Sequence, residues 1–217
     1  MPPITPIASL LPALWRGTVI TVELTVTSAI LAFIVSFVAG FGRNSKILAF
    51  RTISGIYIEI FRGSSLVVQL FWMYFVLPLV GIRLPALIVG ILGLGLNFSA
   101  YGAEVVRACL QAVPKGQTEA AIALNMTPMQ RLWRIIVPQA FLLMIPPFGN
   151  LLIQLIKSTS IVSLITIGDL TFQGMVLRSL TMKTAEIFTL LLVIYFIITY
   201  PLVLGMRWVE RRVAVGR

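Results

Sequence analysis

The sequence predicts an all-α integral membrane protein: five transmembrane helices with one cytoplasmic loop folded as helix, tight turn and helix. Composition is the first of three observations behind this. Of 217 residues 59% are hydrophobic and 11% charged, with a mean hydropathy of +1.01, whereas soluble chains carry about a quarter charged residues. The second is that the apolar residues fall in runs long enough to cross a bilayer, with basic residues gathered between them. The third is a single polar island, Gln111 to Gln139, in an otherwise lipid-soluble chain. The formal net charge of +10 is spread between the spans and does not build a basic domain, so topology explains it and no nucleic-acid partner is expected. With Cys109 as the sole cysteine and no histidine, an intrachain disulfide, a cysteine metal cluster and the commonest proton carrier are all excluded. The start, MPPITPIASLLPALWRG, lacks the basic region and cleavage site of a signal peptide, so the first span is expected to be retained. Residues 1–217 read as one transmembrane domain without internal repeats.

Span one runs from about Gly17 to Phe41, enough to cross ~30 Å of hydrocarbon at ~1.5 Å per residue. Its Thr18, Thr21, Thr25, Thr27 and Ser28 can bond back to helix carbonyls, which makes packing the expected role. A basic loop of Arg43, Lys46 and Arg51 follows, and Ile56 to Pro78 forms span two. Glu59 and Arg62 lie one turn apart there, and an ion pair at the membrane boundary is expected, with part of an inner gate as the alternative. Span three, Ala86 to Val106, carries Gly90, Gly93 and Gly95 for close helix contact, then turns polar. Asn97, Ser99, Tyr101 and Glu104 are costly against lipid and should face the bundle or a water-filled path.

Within the island, a short helix after Pro114 ends at Asn125, a residue that tolerates the left-handed conformation of a helix end. Thr127 is placed as the next N-cap, with Pro128 at the first helical position and Gln130 at capping-box spacing. Span four starts near Ala140; its Pro146-Pro147 pair is expected to bend or interrupt it, and the polar run Gln154, Lys157, Ser158, Thr159 and Ser160 marks a break. Lys157 is expected to cap the preceding helix, and an unwound segment here would suit a translocation path. Ile161 to Ile167 reads as a short apolar helix with a polar end at Gly168-Asp169, and span five is Glu186 to Met206. Placing the Arg43 to Arg51 loop, the island and the arginine-rich tail in the cytoplasm leaves Arg16, Arg83, Arg178 and Lys183 outside. The N-terminus is thus predicted outside and the C-terminus inside.

The island resembles the EAA loop of ABC-importer permeases: Glu119-Ala120-Ala121, Asn125 where the pattern has Gly, and Ile135-Ile136-Val137-Pro138. Tyr57 to Phe75, Ser99 to Ala121 and Ile156 to Thr171 are similar to the polar amino-acid uptake branch of that family, so the resemblance covers nearly the whole chain. It implies a type I ABC importer permease in a bacterial cell membrane, paired with a second permease subunit, identical or a sister. Two ATPase subunits that bind ATP and magnesium, and an extracytoplasmic solute-binding protein, complete the assembly. The chain itself then needs no cofactor and catalyses nothing, in keeping with the absence of a Walker-type glycine loop. By this resemblance Lys115 to Asn125 is the coupling helix, with Lys115, Gly116, Glu119, Ala120, Ala121 and Asn125 meeting the ATPase. Asn97, Tyr101, Gln154, Ser158 and Thr159 are the candidate translocation-path residues for a small polar solute. AYGAEVVRA, EAAIALNMTP and KSTSIVSLI resemble permeases for ectoine and hydroxyectoine, and Ser158 stands where several carriers of charged amino acids have an acid.

Three other readings are open to the residues. An ion-coupled secondary transporter of small polar solutes would need carboxylates or a histidine along its path, while most acids here lie near span ends. A DNA-binding helix-turn-helix at Gln117 to Val137 lacks a soluble fold around it. A membrane enzyme lacks a nucleophile–base or metal constellation.

Overall fold

The computed structural model describes residues 11–214, and these are helical nearly throughout. Residues 1–10 and 215–217, Arg217 among them, lie outside the described residues, so the reading of the N-terminal segment is not addressed by the structure. Helix α1 (Leu11–Arg43) is continuous. Thr18, Thr21, Thr25 and Thr27 each donate to the carbonyl four residues back, which hides their hydroxyls within the helix. Ser28 departs from that expectation, its hydroxyl being buried without a hydrogen-bond partner.

Span two is where the sequence reading needs most correction. Helix α2 (Leu48–Gly63) is followed by α3 (Leu66–Phe71), and the chain bends by 103° at the break between them. From α3 the helix widens into a π turn, Trp72–Val76, then tightens to a 3-10 turn, Leu77–Val80. Gly81, at φ 90, supplies the left-handed residue that closes this segment.

Helix α4 (Ala86–Ala112) forms the centre of the bundle against α1, with buried Leu24, Ala32, Leu94 and Phe98 in one core cluster. Its glycines act as expected. A Cβ on Gly90 would lie 2.7 Å from Ile167 Cδ1, one on Gly95 would lie 2.6 Å from Leu31 Cδ2, and one on Gly93 would collide with Leu70.

The island folds as α5 (Lys115–Ala123), the left-handed Asn125 at φ 55, and α6 (Pro128–Arg131). A second π turn, Leu132–Ile136, leads without interruption into α7 (Val137–Ser158). The expected interruption at Pro146-Pro147 does not occur, since α7 is helical through both. Nor does the chain unwind after Gln154. Lys157 lies in the last turn of α7, where its charge complements the C-terminal dipole, and the backbone then tightens into a 3-10 helix, Thr159–Ile165. Asp169 N-caps α8 (Leu170–Thr181), accepting from the backbone N–H groups of Thr171 and Phe172, and α9 (Thr184–Ala214) closes the bundle. Among the described residues four helices are long and apolar enough to cross a membrane, and counting the bent segment from α2 through Val80 as one span makes five.

Candidate functional site

Two features stand out from this frame, a polar hub at the break in span two and the elbow at α5–α6. The hub forms because a helix that stops at Gly63 and restarts at Leu66 leaves backbone carbonyls without helical partners. Side chains from α3 and α4 supply them. Asn97 Nδ2 donates to the Phe61 carbonyl at 3.0 Å and to Gln69 Oε1 at 3.1 Å. Gln69 Nε2 in turn donates to the same carbonyl at 2.9 Å and to Ser64 Oγ at 2.8 Å. Asn97 is only 5% exposed, so these bonds hold a buried amide that would otherwise be costly.

The hub has an open side. Arg62, Gly63, Ser64 and Ser65 are all exposed, and the Arg62 guanidinium carbon sits 5.5 Å from the centroid of the Tyr101 ring, itself 40% exposed. This overturns the expected Glu59–Arg62 ion pair. Among the described residues the salt bridges are Glu104–Arg107 and Lys183–Glu186, and Arg62, in the last turn of α2, lies over Tyr101 of α4 instead. Sequence reasoning expected Asn97 and Tyr101 to face the bundle or a water-filled path; Asn97 is buried in the hub and Tyr101 is exposed beneath Arg62, while Ser64 and Gln69 were not singled out. The Arg62-Gly63-Ser64-Ser65 run was the available signal, since Gly followed by two serines is a poor helix interior.

The span-four candidates are not all drawn into this hub. Gln154 and Lys157 are exposed and Ser158 is half-buried at the end of α7, whose Leu155 shares a core cluster with Leu66 at the start of α3. Thr159 is fully buried, and its hydroxyl is spent on the Ile156 carbonyl at 2.7 Å.

In the elbow, the capping box forms as read. Thr127 Oγ1 accepts from Gln130 N, and Gln130 Oε1 accepts from Thr127 N. Lys115, Gly116, Glu119, Ala120 and Asn125 are exposed, and a Cβ on Gly116 would meet nothing. Ala121 differs from its neighbours, being 1% exposed and packed against its own chain. The open surface beside Ala120 is instead apolar through Ile122, Leu124 and Met129, three residues the motif did not single out.

Residues 3–215 match the model of the family described as binding-protein-dependent transport system inner membrane component. The chain is 44% identical, over 94% of its length and 88% of the relative's, to a probable amino-acid ABC transporter permease protein, y4tF, of Sinorhizobium fredii. It is 34% identical, over 93% of its length and 86% of the relative's, to the L-cystine transport system permease protein TcyB of Bacillus subtilis. Among solved structures, an amino acid ABC transporter crystallised with histidines superposes with a TM-score of 0.91 at 33% identity, covering 95% of this chain and 96% of that one. An inward-facing MetNI methionine ABC transporter gives a TM-score of 0.78 at 25% identity, covering 94% and 98%. These homologues are non-catalytic permease subunits whose ATPase is a separate chain. The protein therefore belongs to the binding-protein-dependent transport system inner membrane component family, as a multi-pass permease subunit with the type I ABC importer fold.

Proposed function

We propose that this permease carries a small zwitterionic solute of the polar amino-acid class, past the hub at the break in span two, and that α5 receives the work of ATP hydrolysis from partner ATPase subunits. The observation that carries the reading is the hub itself. It sets the Arg62 guanidinium beside an aromatic face and two serines, on a side of the break that is open. A guanidinium suits a carboxylate, and the Tyr101 ring suits a delocalised cation. The solute best matched to both, with a neutral Ser158 close by in sequence to the α7 end, is a cyclic amidinium carboxylate of the ectoine and hydroxyectoine type. Asn97, Tyr101, Gln154, Ser158 and Thr159 remain the path residues of this proposal, with Arg62, Ser64 and Gln69 added. Thr159 serves it from behind, by holding the turn that presents Ser158.

The assembly we assign is two permease subunits, identical or sister, two ATPase subunits and an extracytoplasmic solute-binding protein. Lys115, Gly116, Glu119, Ala120, Ala121 and Asn125 build the coupling elbow, with Ile122, Leu124 and Met129 as its apolar contact surface. The geometry supports a cytoplasmic elbow and C-terminus with the N-terminus outside. The Arg43 end of α1 meets the elbow through Phe41 and Trp133, and the C-terminal part of α9 packs through Met206 on Gly149 of α7. The basic segments thus gather at one end of the bundle.

Reconstitution of the complex with its ATPase and binding protein in proteoliposomes tests this. Labelled ectoine should enter only with internal ATP, and unlabelled ectoine should compete better than glutamine or cystine. Preferred uptake of an ordinary amino acid would overturn the solute assignment, and uptake without the ATPase would overturn the mechanism.

A further inference from the structure

The elbow is tied to the bundle by a run of aromatic rings that passes through α1, a helix well separated from it in sequence. Trp133, on the π turn, has its ring 5.7 Å from Phe41 at the end of α1. Phe41 lies 6.1 Å from Phe37, and Phe37 stacks on Phe148 of α7 at 5.8 Å with the planes 3° apart. Phe33 closes the run, 5.5 Å from Phe148. At the near end, α5 packs on the π turn, with Ala121 buried. At the far end lies a cavity of about 270 Å³ whose lining includes Phe33, Ser36, Phe148, Gly149, Leu152 and Met206.

Burial alone does not account for this run. Trp133 is 54% exposed and Phe33 46% exposed, so the two end rings contribute little as core. Their distinguishing property is continuity, from the elbow to a half-open apolar cleft. Protein interiors are packed closely enough to pass a displacement on, and side chains lining a cleft have room to turn that close-packed ones lack.

We infer that Trp133, Phe41, Phe37 and Phe148 are positioning residues that deliver movement of the elbow to α1, and that the cavity between α1, α7 and α9 receives the shift of Phe148 and Met206. This rests on the reading of α5 as the coupling helix. It makes α1 a driven element of the transport cycle.

The test uses the whole complex in proteoliposomes and reads solute moved per ATP hydrolysed. Trp133→Ala should lower that ratio about tenfold, within the range seen for residues that couple distant sites, while ATP hydrolysis and copurification persist. Trp133→Phe should restore most of it. Ala29→Phe, which fills the cavity from α1, should lower the ratio with every ring of the run intact. Should Trp133→Ala prevent assembly, Phe37→Leu gives the same readout from inside the membrane span. Ala120→Glu serves as the control. If Ala120→Glu collapses the ratio while Trp133→Ala, or Phe37→Leu in its place, and Ala29→Phe leave it unchanged, the relay is wrong and the coupling helix stands. If Ala120→Glu also changes nothing, the coupling reading itself falls.

Discussion

Asn97 shows how much one side chain does at the break. Its amide nitrogen serves both a carbonyl left over from α2 and the side chain that begins to rebuild the span in α3. Asn97→Leu keeps the branched shape but removes the donor to Gln69 Oε1 and to the Phe61 carbonyl, a loss of about 1 kcal/mol per hydrogen bond to these half-buried acceptors. Uptake in proteoliposomes should fall further than the yield of assembled complex. Equal loss of both would assign Asn97 to packing alone. That Asn97 and Ser99 would turn inward from lipid was legible, because such polar groups are costly against hydrocarbon. Arg62 was not, since its spacing from Glu59 fits an ion pair, and only the packing of α2 on α4 brings the guanidinium to the Tyr101 ring.

At the level of elements, the capped and glycine-bearing segments were the readable ones. The Thr127–Gln130 box and the left-handed Asn125 follow from local hydrogen bonding and sterics, which need no knowledge of neighbours. The course of α7 through Pro146-Pro147 was not readable, because a single helix with a proline pair is held straight or bent by what packs on it. The cap of α8 permits a further prediction. Asp169 has no exposure and sits over α1, where a Cβ on Gly17 would approach its carbonyl oxygen to 2.9 Å. Burial pushes the carboxyl up to about 6, against the lowering pull of the Phe172 and Thr171 N–H groups. An acid whose folded-state value is raised holds its proton in the fold while the unfolded chain has released it, so stability falls as pH rises from ~4 to about 6. Thermal unfolding of the detergent-solubilised permease should occur at higher temperature at pH 5 than at pH 7, and Asp169→Asn, which keeps an N-cap oxygen, should flatten that difference. A slope unchanged in the variant would place the titration elsewhere.

For the molecule as a whole, hydropathy was enough to give four spanning helices among the described residues, five with the bent pair, while the orientation drawn from arginine and lysine is a prediction. The hub on which the proposed solute rests was not legible in the same way, since it depends on residues from three helices meeting at a break that hydropathy smooths over. Orientation is open to direct measurement. In a Cys109→Ser background, a membrane-impermeant thiol reagent applied to intact cells should label Arg83→Cys and spare Glu119→Cys, with the pattern reversed in inside-out vesicles. Labelling of position 119 from outside would invert the topology and remove the elbow from reach of any ATPase. The two π turns bear on the same question of what moves. Each ends two residues before a proline, Pro78 in one and Pro138 in the other, and in each the N–H just before that proline reaches five residues back, Leu77 to Trp72 and Val137 to Leu132. Proline has no N–H to give and crowds the carbonyl four residues behind it, and the wider winding makes room for that ring. Pro146, Pro147 and Pro201 are taken up within plain α-helix instead, so the two swellings mark where the local backbone gives way to a ring that packing elsewhere absorbs.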